Sequence, residues 1–241
     1  MFMGFLKTVY IFYRLAVYYF RSLNGKNKIH ILKQQFAFEA LNILGFKLNI
    51  LGRSILKNKL ILVGNHISYL DILVVLAANP ESVFLAKFEV RTWPIIGAVA
   101  HKIGTIFVKR DSKNSRDHIK LQIENTLKSN LGTLQIAGFP SGTTTLSEKI
   151  IWKKGLFEIA QNTNVHIQPF RISYSHQREC AYIDNDQLFR SLMNLFELKS
   201  KSINFEWGES FLVTDPIMQS ESTRAWTQQI DLPQFESFKP G

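Results

Sequence analysis

Short apolar runs alternate with helix-like patterns from residue 48 onward. The predicted strands are 48–51, 60–63, 82–86, 105–109, 133–138, 166–173, 181–184 and 203–207. The predicted helices are 69–78, 94–100, 114–129, 151–161 and 187–198. This alternation predicts an α/β fold with a central, mostly buried sheet flanked by helices.

The first 23 residues follow a different pattern, in which cations interrupt an apolar and aromatic segment at a fixed interval. Lys7, Arg14 and Arg21 lie seven residues apart. A seven-residue step returns to nearly the same side of a helix, so we predict one basic stripe. The residues of a separate apolar face are Phe5, Val9, Phe12, Ala16 and Phe20. This pattern is typical of a helix that lies flat in a membrane interface.

A second amphipathic helix is predicted after Asn24-Gly25, with apolar residues at three- and four-residue steps from Ile29 to Leu44. Spanning the membrane is an alternative for the first helix, but Arg14 would lie at its centre, where a charge costs roughly 2.5–3.5 kcal/mol. Packing of both helices on the core without lipid contact is another alternative. A secretory signal is disfavoured, since no charge-free apolar core and no cleavage site are evident.

The composition fits one globular domain with an appendage, because 46% of the 241 residues are apolar and 20% are charged. We predict membrane-binding helices at 1–46, an α/β domain at 47–232 and an irregular tail at 233–241. Cys180 is the single cysteine, which excludes an intramolecular disulfide and fits a reducing compartment. We expect its thiol to be buried and inert.

The net charge of +10 belongs almost entirely to residues 1–60, which hold ten Lys or Arg and one acid, Glu39. Such an uneven distribution indicates an anionic partner, either a membrane surface or a nucleic acid. A membrane surface is favoured, because the sequence carries no zinc, helix-turn-helix or RNA-binding signature.

A histidine and an aspartate follow the strand predicted at 60–63, in the segment Asn65-His66-Ile67-Ser68-Tyr69-Leu70-Asp71. Open α/β sheets place their sites at the carboxyl ends of strands. At that place His66 can take a proton near neutral pH, while Asp71 orients the ring and stabilises its charged form. The alternative is structural, because Ser68 followed by Asp71 also fits a helix-capping box.

Three further segments of interest contain or adjoin the ends of predicted strands. They are Phe84 to Lys87 with Pro94 to Gly97 behind it, Gly104 to Arg110, and Gly138 to Thr145. The second ends in two cations, Lys109 and Arg110, and the planar fork of an arginine suits a phosphate; taken alone, the pair also fits a solvated strand end. The third is a turn rich in hydroxyls and exposed amides, of a kind that can bind an anion.

The order and spacing of these segments resemble the glycerolipid acyltransferase family, whose best-known members are bacterial lysophosphatidic acid acyltransferases. The likeness covers roughly residues 40–215. The family's Asn-His-x4-Asp motif is matched by Asn65, His66 and Asp71. Its Gly-x-Ile-Phe-Val-x-Arg motif is matched by residues 104–110, and the basic N-terminal helices resemble membrane-docking helices of bacterial members.

The family's third motif, Phe-Pro-Glu-Gly-Thr-Arg, is matched only in part by residues 139–144. Ser141 stands in place of the glutamate and Thr144 in place of the arginine. The family links those two charged residues to binding of the acceptor. The resemblance therefore leaves the acceptor open: lysophosphatidate is expected first, and another lysolipid, such as a lyso-aminolipid, is the alternative.

The resemblance implies an O-acyltransferase of phospholipid biosynthesis that uses an acyl thioester of acyl-carrier protein or coenzyme A. His66 would be the base and Asp71 its orienting carboxylate. The residues expected to contact substrate are Asn65, Lys87, Lys109, Arg110, Ser141, Gly142 and Thr143. Arg110, with Lys87 or Lys109, would hold the acceptor's phosphate, and an amide near the Gly142 turn would receive the oxyanion. No metal site and no cofactor are expected.

We expect a peripheral or monotopic membrane protein at the cytoplasmic face of a bacterial inner membrane. A serine hydrolase is disfavoured because the sequence has no Gly-x-Ser-x-Gly segment. The remaining alternative is a non-catalytic membrane-binding protein in which the His66–Asp71 pair is purely structural.

Overall fold

A seven-stranded, mostly parallel sheet forms the centre of the chain. The structure is a computed structural model that describes residues 2–23, 28–55, 58–109, 113–128, 133–146, 151–183 and 186–228. The strands are β1 (Phe46–Leu51), β2 (Lys59–Gly64), β3 (Ser82–Lys87), β4 (Ile106–Val108), β5 (Leu134–Gly138), β6 (Ile167–Tyr174) and β7 (Lys201–Trp207). Their order is β1-β7-β6-β2-β5-β3-β4, and only β6 and β7 pair antiparallel. The predicted α/β class is confirmed.

Helices cover both faces of this sheet. They are α1 (Phe2–Leu23), α2 (Ile29–Leu44), α3 (Leu70–Ala78), α4 (Ile96–Lys102), α5 (Lys113–Lys128), α6 (Gly155–Thr163), α7 (Gln177–Cys180), α8 (Leu188–Leu195) and α9 (Pro216–Gln228), with a 3-10 helix at Phe88–Thr92. In β2, Leu60 and Leu62 join a core with α2, α3 and α8, whereas Ile61 and Val63 join a core with α5 and α6. Because side chains alternate between the faces of a strand, burial on both faces explains the unbroken apolar run of β2.

The structure differs from the predicted elements in several places, of which three concern whole elements or a helix start. Residues 181–183 form no strand: the Tyr182 N–H donates to the Ile67 carbonyl, 3.0 Å away, and the segment crosses the loop after β2. Its apolar character therefore comes from packing on that loop. Helix α6 begins at Gly155, four residues later than predicted. The sequence pattern also does not predict α9, because that helix is mostly polar.

Helix α1 packs against α2 and α8, and its cationic stripe is partly used in that packing. The Arg14 Nε atom lies 2.7 Å from Oε1 of Glu39 on α2. The Tyr18 hydroxyl donates to the same carboxylate at 2.9 Å, and Arg21 lies over the Tyr18 ring. The centre of the predicted basic stripe is therefore paired with Glu39 and only partly exposed, whereas Lys7 and Arg21 are exposed.

The solvent-facing side of α1 is instead apolar and aromatic. Its exposed large residues are Met3, Phe5, Leu6, Val9, Tyr10, Tyr13, Phe20 and Leu23. A contiguous exposed apolar surface of this kind marks an interaction site more often than chance exposure does. Among the described residues, no helix combines the length and the apolar character needed to cross a membrane.

A buried lysine attaches α2 to the α/β domain. Lys33 is only 8% exposed, and its Nζ donates to the Ser82 carbonyl at the start of β3, 2.9 Å away. The neighbouring Gln34 donates to the Ala77 carbonyl in α3 at 3.0 Å. Burial lowers the pKa of the Lys33 amine from 10.5 to about 8, although Glu81 opposes the shift. The attachment therefore carries a charge that destabilises the fold at neutral pH.

We predict that Lys33→Met stabilises the protein at pH 7 and that the gain disappears as the pH rises. Below pH 8 the folded state holds the buried charge, which costs about 3 kcal/mol at 1.36 kcal/mol per pKa unit. Loss of the bond to Ser82 offsets about 1 kcal/mol of the gain. Between pH 8 and 10.5 the folded protein releases the proton and the unfolded chain keeps it, so the wild type becomes more stable.

Denaturant unfolding at pH 7 and pH 10 measures this difference, with the exposed Lys47→Met as the matched control. The control is expected to change the free energy of unfolding by less than about 0.5 kcal/mol at both pH values. A Lys33→Met gain that is equally large at pH 10 would contradict the explanation.

Candidate active site

The predicted site residues converge at one edge of the sheet. Strands β2, β5, β3 and β4 are parallel neighbours, so their carboxyl ends meet there. His66 follows β2, Phe139 begins the loop that follows β5, Lys87 ends β3 and Lys109 follows β4. The Cα partner of Lys87 in β4 is Val108, which places Lys109 one residue beyond that pair. Arg110 lies outside the described residues, so its substrate contact stays a prediction.

His66 and Asp71 form a hydrogen-bonded pair, as predicted. The His66 Nδ1 atom lies 2.8 Å from Asp71 Oδ2, and the exposed fractions of the two side chains are 18% and 0%. Because a carboxylate only accepts, the tautomer that fits this contact carries its proton on Nδ1. Nε2 is then the free basic nitrogen, and no hydrogen bond from the described residues engages it.

Asp71 also shapes the start of α3. Its Oδ2 accepts the N–H groups of Ile67 at 2.7 Å and Ser68 at 3.0 Å, while its Oδ1 accepts the hydroxyl of Tyr174. Of the predicted capping box, the contact from the Ser68 N–H to Asp71 is present together with the base-orienting contact, although α3 itself begins at Leu70. One carboxylate does both, since its two oxygens offer enough acceptor positions for four donors.

An aromatic ring supports the imidazole from one side. Phe139, the first residue after β5, stacks on His66 with ring centroids 4.0 Å apart and an angle of 12° between the planes. Phe139 in turn meets the edge of Phe170 in β6. The Asp71 contact and the Phe139 stack together fix the plane of the histidine ring.

Asn65 has a structural use that the sequence does not reveal. It is buried, its Nδ2 donates to the Ile172 carbonyl, and its Oδ1 accepts the Ile172 N–H, each at 2.8 Å. These two bonds attach the end of β2 to β6, which continues beyond the last paired residue of β2. The predicted contact of Asn65 with substrate stays a prediction; its observed contacts position the His66 loop.

The loop after β5 is closed mainly by its own hydrogen bonds. The Gly142 N–H donates to the Phe139 carbonyl at 2.9 Å, and Gly142 adopts a φ of +73° that favours glycine. The Ser141 hydroxyl donates to the Thr143 carbonyl at 2.8 Å, and the Thr144 hydroxyl donates to the Tyr182 carbonyl. Ser141 and Thr144 thus bind backbone where the family pattern has charged side chains.

This loop also touches the base directly. The Thr145 N–H donates to the His66 carbonyl at 2.8 Å. The Thr143 N–H has no hydrogen-bond partner among the described residues, and Thr143 lines the same cavity as His66. Since the Gly142 amide is already engaged, the Thr143 amide is the better candidate for an oxyanion donor.

Two cations stand at the same edge. Lys87 is exposed and lines the cavity. Lys109 is also exposed, and its ammonium lies over the Phe88 ring, 4.7 Å from the centroid. Neither is held in an ion pair within the described residues, so both are available to an anion.

A large cavity leads away from His66. Its volume is about 870 Å³, and its walls come from the α/β domain and from both N-terminal helices. Representative apolar wall residues are Phe12 and Leu15 of α1, Leu32 and Phe36 of α2, and Leu73 and Leu76 of α3. A space of this size and polarity fits a hydrocarbon chain or another apolar ligand.

The cysteine is not positioned as a nucleophile. Cys180 is buried, as predicted, and burial raises the pKa of its thiol to about 12, with a smaller contribution from Glu179. The reactive thiolate is therefore scarce at neutral pH. Across the described ranges, no three His, Cys, Asp or Glu side chains gather as a metal site requires.

The His66–Asp71 pair at the carboxyl edge of an α/β sheet is an arrangement suited to the activation of a hydroxyl or a water. The model of the family described as Acyltransferase matches residues 47–173. A lyso-ornithine lipid O-acyltransferase of Pseudomonas aeruginosa is 32% identical over 183 residues, which cover 74% of this chain and 69% of that protein. The chain belongs to the acyltransferase family.

Two further similarities extend this result. A 1-acyl-sn-glycerol-3-phosphate acyltransferase of Neisseria gonorrhoeae is 28% identical over 118 residues, which cover 48% of this chain and 45% of that protein. The crystal structure of the 1-acyl-sn-glycerophosphate acyltransferase PlsC from Thermotoga maritima superposes with a TM-score of 0.66 and 21% identity, over 95% of this chain and 89% of that one. That likeness shows a shared fold that includes the N-terminal helices.

We predict that Asp71→Asn lowers kcat by a factor on the order of 10³–10⁴. The amide can still accept hydrogen bonds, but it neither stabilises an imidazolium nor selects the tautomer with a free Nε2. Single-turnover kinetics measure the loss. Asp215→Asn, at the exposed start of α9, is the matched control and is expected to keep full activity. An Asp71→Asn variant within tenfold of the wild type would contradict the assigned role.

Proposed function

We propose that this chain transfers a fatty acyl group from an acyl thioester to the free hydroxyl of a lysolipid, as a step of membrane lipid biosynthesis. The observation that carries the proposal is the His66–Asp71 pair at an apolar cavity, in a member of the acyltransferase family. The cavity supplies a place for acyl chains, and the pair supplies the base that the acceptor hydroxyl needs.

The chemistry follows from the free Nε2 atom of His66. As the acceptor oxygen attacks the thioester carbonyl carbon, Nε2 takes the hydroxyl proton and Asp71 stabilises the resulting imidazolium. The tetrahedral oxyanion would be stabilised by the Thr143 N–H. Collapse breaks the carbon–sulfur bond, and the imidazolium returns the proton to the leaving thiolate. The products are an ester and the free thiol of coenzyme A or acyl-carrier protein.

The acceptor that we place first is 1-acylglycerol-3-phosphate. Lys87 lines the cavity with His66, Lys109 stands exposed at the same edge of the sheet, and Arg110 follows directly in the chain. Two ammonium groups and a guanidinium suit a phosphate dianion. The similarity to the 1-acyl-sn-glycerol-3-phosphate acyltransferase of Neisseria supports this acceptor.

A lyso-ornithine lipid is the second candidate. The Pseudomonas relative is a lyso-ornithine lipid O-acyltransferase. Ser141 and Thr144 stand where the family's third motif has a glutamate and an arginine. The loop after β5 therefore lacks that carboxylate and that guanidinium. Both hydroxyls donate to backbone carbonyls, so they bring no charge to the acceptor. A zwitterionic head group makes a smaller demand for positive charge than a phosphate does.

We predict that the purified protein acylates one of these two lysolipids and that His66→Ala abolishes the transfer. Labelled acyl-coenzyme A and acyl-carrier protein are supplied separately, with 1-acylglycerol-3-phosphate, lyso-ornithine lipid and lysophosphatidylcholine as acceptors. Removing the base is expected to cost roughly 10²–10⁴-fold. His176→Ala, which alters a half-buried histidine whose ring bonds to the Lys199 carbonyl, is the control. Transfer that survives in His66→Ala refutes the mechanism, and no transfer to any acceptor favours a non-catalytic binding protein.

We also propose that the apolar side of α1 docks on the cytoplasmic face of a bacterial inner membrane, as a peripheral or monotopic association. Its large exposed side chains have no partner that buries them within the described residues. Lys7 and Arg21 are exposed at the same helix, where they can meet anionic head groups. Tyrosine and phenylalanine suit the depth of the membrane interface.

We predict that the triple variant Leu6→Ser, Tyr13→Ser and Phe20→Ser loses binding to vesicles of phosphatidylglycerol and phosphatidylethanolamine. These three residues are exposed, so their replacement leaves the packing on α2 and α8 in place. The control replaces the exposed Ile217 and Met218 of α9 by serine, which removes apolar surface elsewhere. Sedimentation with vesicles measures binding, and a triple variant that sediments like the wild type contradicts docking through α1.

A further inference from the structure

Tyr174 contacts the carboxylate of Asp71, although it lies outside every sequence segment that suggested the site. Tyr174 is the last residue of β6 and is buried. Its hydroxyl donates to Oδ1 of Asp71, the oxygen that His66 does not use. The two residues are 103 positions apart in the chain, so the contact exists only once β6 is in place.

The hydrogen bond from Tyr174 restrains the rotation of the Asp71 carboxylate, because the other contacts all hold the same oxygen, Oδ2. His66, Ile67 and Ser68 all lie on a single short loop and all contact Oδ2. The terminal torsion of an aspartate is broad. A donor to Oδ1 from a different element holds the second oxygen and therefore the plane of the carboxylate.

The tyrosine is itself held in place. Its ring meets the edge of the Phe46 ring with centroids 6.3 Å apart, and the Ile172 backbone, two residues earlier in β6, is clamped by Asn65. Asn65 precedes His66 directly, so the base and the tyrosine are attached to the same pair of strands. The Tyr174 backbone is also held by its pairing with Ile203 of β7.

The direction of the hydrogen bond is also fixed. Burial, followed by the charge of Asp71, holds the pKa of Tyr174 well above 10. The neighbouring titratable groups are Cys180, with a pKa raised to about 12, and Tyr69, with a pKa raised by burial. None of these three groups changes charge between pH 5 and 9.

We propose that Tyr174 is a positioning residue of the acyl-transfer reaction, which orients the Asp71 carboxylate and through it the His66 base. This inference rests on the proposed function for its kinetic consequence, but the effect on His66 is a property of the folded protein alone. The hydroxyl of Tyr174 withdraws negative charge from Asp71. Without this hydroxyl, Asp71 stabilises the imidazolium more strongly. We therefore expect a higher pKa of the His66 ring in a variant that lacks the hydroxyl.

The test is Tyr174→Phe, which removes the hydroxyl and keeps the ring against Phe46. We expect kcat to fall roughly 10- to 100-fold, KM for both substrates to stay within about twofold, and the acid limb of the pH–rate profile to move to higher pH. Ser220→Ala removes a buried hydroxyl that donates to the Ile217 carbonyl in α9. This control is expected to change neither kcat nor the profile.

An NMR titration of the His66 ring, in the wild type and in both variants, separates this inference from the proposed function. A higher ring pKa in Tyr174→Phe supports the positioning role even where the wild type transfers no acyl group to the acceptors tested. An unchanged ring titration overturns it. A fall in kcat that comes only with a lower Tm, at an unchanged pH profile, also overturns it, since that result describes a structural residue.

Discussion

The buried carboxylate of Asp71 is the constraint on which the rest of the site depends. A charge without access to water is very costly unless donors surround it. Asp71 meets this requirement with the His66 ring, two backbone N–H groups and the Tyr174 hydroxyl. The donors come from the loop after β2 and from the end of β6. The charge can therefore be buried only when the two strands are paired, and the pairing in turn brings the base to the edge of the sheet.

This arrangement explains why a helix cap and a catalytic contact coincide in one residue. Asp71 accepts the N–H groups of the loop before α3, and as a residue of the first turn its carboxylate interacts favourably with the positive end of the helix. The same contacts immobilise the carboxylate beside the imidazole. Structural stability and orientation of the base are thus supplied by one set of hydrogen bonds, and the two readings of the Ser68–Asp71 spacing do not exclude each other.

The parts of the fold that depend on local pattern could be predicted from the sequence. The unbroken apolar run of β2, followed by a histidine, predicted a site at the carboxyl end of this strand. The Asn65–Asp71 spacing predicted the His66–Asp71 pair. The parts that failed depend on contacts between distant residues. Arg14 is neutralised by Glu39 on another helix, and residues 181–183 are apolar because they cover the loop after β2 rather than because they pair in the sheet. Tyr174 reaches the site for the same reason and carries no local signal of that role. Phe139 lies in the third motif, but its stacking on His66 depends on the pairing of β2 with β5.

The cavity connects the N-terminal helices to the chemistry. Its walls include Phe12 of α1 and Phe36 of α2 as well as His66, so α1 presents one side to the interior of the site and the opposite, aromatic side to its surroundings. A helix that docks on lipid through its outer side would hold the apolar wall of the cavity next to the membrane. An acyl chain could then pass from the bilayer to the cavity with little exposure to water. Each CH₂ group that stays out of water avoids a free-energy cost of about 0.8 kcal/mol. The same geometry explains why the internal pairing of Arg14 is compatible with docking, since the apolar face rather than the central cation meets the lipid.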